Sequence, residues 1–244
     1  MNVVVVEDYE KMSRAAADII AAHVAAHPSC VLGLATGSTP IGLYADLVKD
    51  YEAGKISFAD VDTYNLDEYR GLAGDHNQSY RYFMNDNLFD HVDIDTARTH
   101  VPDGSCPDAD EACAAYERGI EEAGGVDIQL LGLGHNGHIG FNEPCDEFPK
   151  ETHCVQLTES TIQANSRLFD SIDEVPREAY TMGIGTIMKA KQILVVANGE
   201  DKADIVARAF FGPVTPQVPA SILQFHPNVT VIVDAAAGSK IPQE

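Results

Sequence analysis

Six short strand-like runs, five of them mostly apolar, alternate with segments of helical periodicity along the 244 residues, and no other feature restricts the fold as much. The runs are Val3–Val6, Cys30–Ala35, Val61–Leu66, Val126–Leu133, Gln192–Ala197 and Val229–Val233. Largely apolar segments of this length are what strands buried on both faces require. After the first, Asp8 is placed to cap a helix through about His27, with Met12, Ala15, Ala16, Ile19, Ile20 and Val24 on one face and Pro28 as its stop. Helices are also expected from Pro40 to about Tyr51, near Ser79–Phe89, over Asp108–Ala123, near Ser160–Phe169 and over Asp201–Phe210, with a further strand near Tyr180–Met182. The alternation predicts an α/β protein: one domain over residues 1–244 with a largely parallel, doubly wound, Rossmann-like sheet and helices on both faces. No internal repeat or low-complexity linker interrupts it, and Gly212–Pro219 reads as a short loop. Sheets of this kind take ligands outside the carboxyl ends of their strands.

Composition narrows the partners. The net charge is −22, with only 16 Lys and Arg, which argues against a nucleic-acid surface or an anionic membrane. A small anion then needs a local gathering of N–H groups and cations. The five cysteines have no metal-like spacing and read as reduced thiols of a cytoplasmic protein. The amino terminus lacks the basic region of a signal peptide and reads as a first strand, and no apolar stretch is long enough to cross a bilayer.

The fourth run opens into a glycine-rich segment, Leu130-Leu-Gly-Leu-Gly-His-Asn-Gly-His-Ile-Gly-Phe-Asn-Glu-Pro144. Gly132, Gly134 and Gly137 match the dinucleotide-binding pattern, but the long helix that must follow is cut off by Pro144, so a nicotinamide or flavin cofactor is not expected. The Gly-Lys-Ser/Thr ending of a Walker loop occurs nowhere. A strand that delivers His138 and Glu143 is suited to proton transfer, with Glu143 orienting the imidazole; the plain alternative is a packed histidine that caps the loop. His135 and His138 suggest a metal only weakly, because no further ligand cluster accompanies them.

Other strand ends carry weaker signals. Thr36-Gly37-Ser38-Thr39-Pro40 is either a phosphate loop at a helix start or an ordinary cap. Asp67 and Glu68 after the third run are either a base aimed by the scaffold or a solvated pair with Arg70 as a surface partner. Arg167 and Lys202 suit a phosphate, or are helix surface charges. Tyr80, Tyr82, Phe83, Met84 and Phe89 are read as core.

Taken in order, LGLATGSTPIGLY, YNLDEYRGL, NQSYRYFM, LLGLGHNGHIGFNEP and ANSRLF, with Lys202 beyond them, resemble glucosamine-6-phosphate deaminases over about Val31–Asp234. The TGSTP loop is shared with 6-phosphogluconolactonases, whereas NLDEY and GHxGFNEP are specific. The resemblance implies conversion of glucosamine 6-phosphate to fructose 6-phosphate and ammonia without metal or organic cofactor. It implies that His138 opens the sugar ring with Glu143 orienting it, and that Asp67 moves the proton from C2 to C1. Gly37, Ser38, Thr39, Arg167 and Lys202 would hold the phosphate. Many members carry Asp where this chain has Asn136, which cannot ionise and is expected to position His138 or the sugar by hydrogen bonds. Allosteric members have basic residues where this chain reads Thr152-His153-Cys154-Val155-Gln156, and a longer tail than one ending at Glu244. A monomer or small homo-oligomer without an activator site is therefore expected. Galactosamine 6-phosphate as substrate, a lactonase, a sugar-phosphate sensor and an inactive paralogue are the rival readings.

Overall fold

The computed structural model describes residues 1–159, 162–163, 166, 169 and 171–242. Its centre is a parallel sheet of seven strands: β1 (Asn2–Val6), β2 (Val31–Leu34), β3 (Asp62–Asn65), β5 (Thr99–His100), β6 (Ile128–Leu131), β9 (Gln192–Ala197) and β10 (Val229–Asp234). The spatial order is β1-β10-β9-β6-β2-β3-β5, and every neighbouring pair is parallel. β2 and β6 are buried at every position and β9 and β10 at all but one, whereas the edge strand β1 departs from the expected burial, with Val5 50% exposed. The Rossmann-like expectation of a parallel, doubly wound sheet is met.

The strand order contains a reversal. The chain steps from β2 to β3 to β5 toward one edge, and from β6 to β9 to β10 toward the other. Right-handed crossovers in opposite directions place helices on opposite faces. One face thus receives α1 (Tyr9–Ala26), α2 (Ile41–Glu52) and α3 (Tyr80–Asn87), which pack in sequence on one another. The other receives α4 (Ala109–Glu122) and α6 (Ala203–Phe211), the short α5 (Ile184–Met188) lying between them in the chain. Asp8 caps α1 by accepting from Lys11 N at 2.8 Å, and Ser79 caps α3 through Tyr82 N at 3.0 Å. The crevice between β2 and β6, where the winding reverses, is where a ligand site belongs.

A second sheet was not anticipated. β4 (Asp67–Tyr69), β8 (Glu178–Thr181) and β7 (His153–Gln156) form an antiparallel sheet in the order β4-β8-β7. The strand expected near Tyr180–Met182 is thus real, but it belongs here and not to the parallel sheet. Asp67 and Glu68 are likewise in a strand, not a loop. Leu66 alone separates β3 from β4, and it joins the sheets: Leu66 N donates to Leu34 O at 3.0 Å, and Met182 N donates to Leu66 O at 2.7 Å. Beside the small sheet a separate cluster of Tyr69, Phe141, Leu157, Ile162, Val175 and Ala179 buries its apolar side. The helix expected near Ser160–Phe169 falls mostly outside the described residues, and Arg167 falls wholly outside them. No helix among the described residues is long and apolar enough to cross a membrane.

Candidate active site

At the reversal of the sheet lies a cleft of about 270 Å³, near the small end for ligand sites. It is lined by residues 35–39 after β2, Leu66 and Asp67 between the sheets, Tyr80 from α3, residues 132–135, 138, 140 and 141 after β6, and Lys202 before α6. Four strand ends that the sequence treats separately therefore converge on one cavity.

The loop after β2 is built to receive an anion. Gly37 has φ of +97°, a left-handed conformation that glycine adopts without strain. Tyr9 from α1 braces the turn: its Oη donates toward Thr39 O at 3.1 Å and accepts from Gly42 N at 2.9 Å. Among the described residues, no protein group accepts from the backbone N–H groups of Thr36, Gly37, Ser38 or Thr39. These residues line the cleft just before a twelve-residue helix, whose dipole favours negative charge at its start. Across the cleft Lys202 Nζ donates to Leu133 O at 2.8 Å, and burial lowers its pKa, so its charge is held in a partly dry setting.

Asp67 has a different environment. Its residue is 6% exposed, and among the described residues nothing donates a hydrogen bond to its carboxyl. Burial first, and the neighbouring Glu68 charge second, raise its pKa from 3.8 to about 8. Glu68, also buried, faces elsewhere. It accepts from Tyr69 N, Tyr80 N and Arg81 N at 2.8–2.9 Å and so anchors the start of α3. The adjacent acids therefore have separate tasks, and Arg70 pairs with neither: its Nη1 lies 2.7 Å from Glu178.

The loop after β6 spans both sheets. It leaves β6 at Leu131 and is fastened to the small sheet by Phe141 N donating to Thr181 Oγ1 at 3.0 Å and Asn142 Nδ2 donating to Met182 O at 2.8 Å. Asn142 and Thr181, both buried, were not singled out from sequence as site residues. Thr181 stands opposite Asp67 in the antiparallel register. Nothing local in the sequence reveals that pairing. Tyr80, read as core, instead lines the cleft and stacks on Phe141 with the rings 11° from parallel.

Within the loop, Asn136 lies between His138 and Glu143. Its Nδ2 donates to Glu143 Oε2, and a carboxylate at this contact can only accept, so the amide oxygen must face the histidine. Asn136 Oδ1 then accepts from His138 Nδ1 at 2.8 Å and from His138 N at 3.1 Å. The proton of a neutral ring is thereby assigned to Nδ1, leaving Nε2 as the basic nitrogen. Glu143 Oε1 is 3.6 Å from His138 Nδ1, too long for a hydrogen bond, so its hold on the ring passes through the amide. The ring lies flat over Gly134: a Cβ there would sit 2.2 Å from His138 Cε1.

His135 and His138 diverge. His135 Nε2 is 2.6 Å from Asp201 Oδ2 and its Nδ1 is 3.3 Å from Lys202 Nζ.

Comparison with known proteins agrees with this geometry. The family model of glucosamine-6-phosphate isomerases/6-phosphogluconolactonase matches residues 7–232. A protein of Clostridioides difficile (strain 630) named glucosamine-6-phosphate deaminase is 53% identical over 241 residues, covering 99% of this chain and 97% of its own length. One of the same name from Lachnoclostridium phytofermentans is 56% identical over 232 residues, covering 95% and 98%. Among solved structures, a monomeric glucosamine-6-phosphate deaminase superposes with a TM-score of 0.95 at 45% identity, covering 98% of this chain and all of that one. The 6-phosphogluconolactonase of Trypanosoma cruzi shares the fold at a TM-score of 0.80 and 19% identity, covering 99% and 97%. With its winding reversal, its N–H-rich turn after β2 and a family match across nearly all its length, the chain belongs to the glucosamine-6-phosphate isomerase/6-phosphogluconolactonase family.

Proposed function

We propose that this chain is a glucosamine-6-phosphate deaminase working as a single domain, with Asp67 and His138 as its proton carriers. It converts glucosamine 6-phosphate and water to fructose 6-phosphate and ammonia. The observation that carries the assignment of roles is the convergence of an anion-binding turn, a buried carboxyl and an oriented imidazole on one cleft.

The N–H groups of Gly37, Ser38 and Thr39 and the Lys202 ammonium hold the phosphate, and Arg167 joins them by resemblance. Fixing one end of the sugar makes proton transfer at the other effectively intramolecular. His138 Nε2 takes the proton of the anomeric hydroxyl and passes it to the ring oxygen, opening the pyranose. Asn136 supports this by keeping Nδ1 protonated, and Glu143 by fixing Asn136. This explains how an amide serves where many relatives carry a carboxylate: the role is orientation, not ionisation. Asp67 takes the proton from C2. The resulting enolamine accepts a proton at C1, and water displaces ammonia from the C2 imine. With its pKa near 8, the ionised fraction of this carboxyl is the form that takes the C2 proton, and it grows as pH rises toward 8. The chemistry needs no metal or organic cofactor. The segment Thr152–Gln156, where allosteric members carry basic residues, holds no Lys or Arg here, which supports hyperbolic kinetics without an acetylated-sugar activator. Reduced cysteines and a sugar-phosphate substrate fit a cytoplasmic enzyme, acting as a monomer or small oligomer.

The test is turnover of glucosamine 6-phosphate by purified protein. Ammonia and fructose 6-phosphate in equal amounts are expected. Hydrolysis of 6-phosphogluconolactone without ammonia release would transfer the assignment to the lactonase branch of the family.

A further inference from the structure

His135 is absorbed by neither of the proton transfers above, yet it lies at the lip of the cleft in contact with two charged groups. Lys202 Nζ can only donate, so His135 Nδ1, 3.3 Å away, must be the acceptor and carry no proton. The proton of the neutral ring then sits on Nε2 and is donated to Asp201 Oδ2 at 2.6 Å. This tautomer is opposite to that of His138, three positions along the same loop. The ammonium of Lys202 has three protons. Leu133 O takes one at 2.8 Å and His135 Nδ1 takes a second, which leaves the third for the cleft.

We propose that His135, itself held by Asp201, is a positioning residue that aims the Lys202 ammonium at the phosphate of the substrate. A lysine ends a flexible four-carbon stem, and a point charge binds phosphate well only where the stem is already ordered. The carbonyl of Leu133 fixes the ammonium on one side only. The imidazole supplies a second fixed acceptor on a loop that the sheet junction already holds. His135 touches no reacting atom in this account, so its removal acts on binding and not on the chemical step. The inference rests on the assignment of Lys202 to the phosphate.

The side chain of His135 is 70% exposed, so its replacement leaves the core untouched. The test compares wild type, His135→Ala and His135→Asn in two ways: steady-state ammonia release from glucosamine 6-phosphate, and direct titration with a sugar-alcohol 6-phosphate that cannot isomerise. His135→Ala is expected to raise KM and the dissociation constant of the alcohol phosphate together by about three- to tenfold, the scale of one hydrogen bond, with kcat within about twofold. His135→Asn, whose amide oxygen can replace Nδ1 as acceptor, is expected to restore most of the loss. Unchanged binding in His135→Ala would overturn the proposal, as would a fall in kcat without a change in KM, or an Asn variant as weak as Ala. A wild type that binds the alcohol phosphate but releases no ammonia would count against the deaminase assignment instead, and the titration would still decide the role of His135.

Discussion

The seven-stranded and three-stranded sheets meet at the cleft, and each contributes what the other cannot. The large sheet ends in a turn whose N–H groups find no protein acceptor among the described residues, and in a cation, on strands whose mostly apolar runs leave little choice of structure. The small sheet contributes Asp67, a carboxyl in a strand buried at each of its three positions, with no hydrogen-bond donor among the described residues. An anion site requires exposed donors, whereas a base of raised pKa requires their absence. Dividing the two between sheets satisfies both demands within one cavity. The loop from Gly132 to Glu143 links them, rooted on β6 and fastened to Thr181 and Met182.

This division was unevenly legible in the sequence. Six strands of the large sheet followed from short, mostly apolar runs, and α1 from its capping Asp8 and its apolar face, because those patterns are local. The two-residue β5 was too short to register. The small sheet escaped because β4 is three residues long, polar at two of them, and paired with a strand more than a hundred residues away. His138 and Glu143 stood out by type and spacing, but the bridging place of Asn136 depends on loop geometry that spacing does not encode. Asp67 and Glu68 looked alike in sequence and differ in what surrounds them: among the described residues, three backbone donors for Glu68 and none for Asp67.

The sharpest way to break the comparison is to neutralise the small sheet's contribution. Asp67→Asn is expected to lower kcat by about 10²–10⁴-fold, the scale of lost general base catalysis, while a non-isomerising sugar phosphate binds nearly as before. A loss in binding as large as that in turnover would place Asp67 in the clamp. The linking loop comes next. Gly134→Ala forces the His138 ring away from its seat, and a displacement of about 1 Å costs on the order of 10²-fold in rate. Near-normal turnover in this variant would mean that the ring position is not critical.

On the large-sheet side, Lys202→Ala is expected to raise KM by about 10- to 100-fold, the worth of a charge-assisted hydrogen bond, with kcat little changed. A collapsed kcat at constant KM would move Lys202 into the chemistry and erase the division between the sheets.

The smallest effect is on stability. Between pH 3.8 and about 8 the folded protein keeps a proton on Asp67 that the unfolded chain releases. The unfolded state binds fewer protons in this window, so the residue's contribution to stability falls as pH rises through it. Asp67→Asn removes the cost of ionising a buried carboxyl. It is expected to melt at least about 3 °C above wild type at pH 9, with the gap closing toward pH 4. Equal melting temperatures at both ends would show that burial does not hold the pKa up.

The central claim is that one buried carboxyl carries the proton between C2 and C1. Turnover of glucosamine 6-phosphate in deuterium oxide, with the fructose 6-phosphate read by NMR, tests it most directly. A single base acting from one face predicts solvent deuterium in only one of the two C1 positions. Deuterium spread equally over both would contradict the account, whereas a product with none would mean that the carboxyl returns the abstracted proton to C1 before it exchanges with solvent.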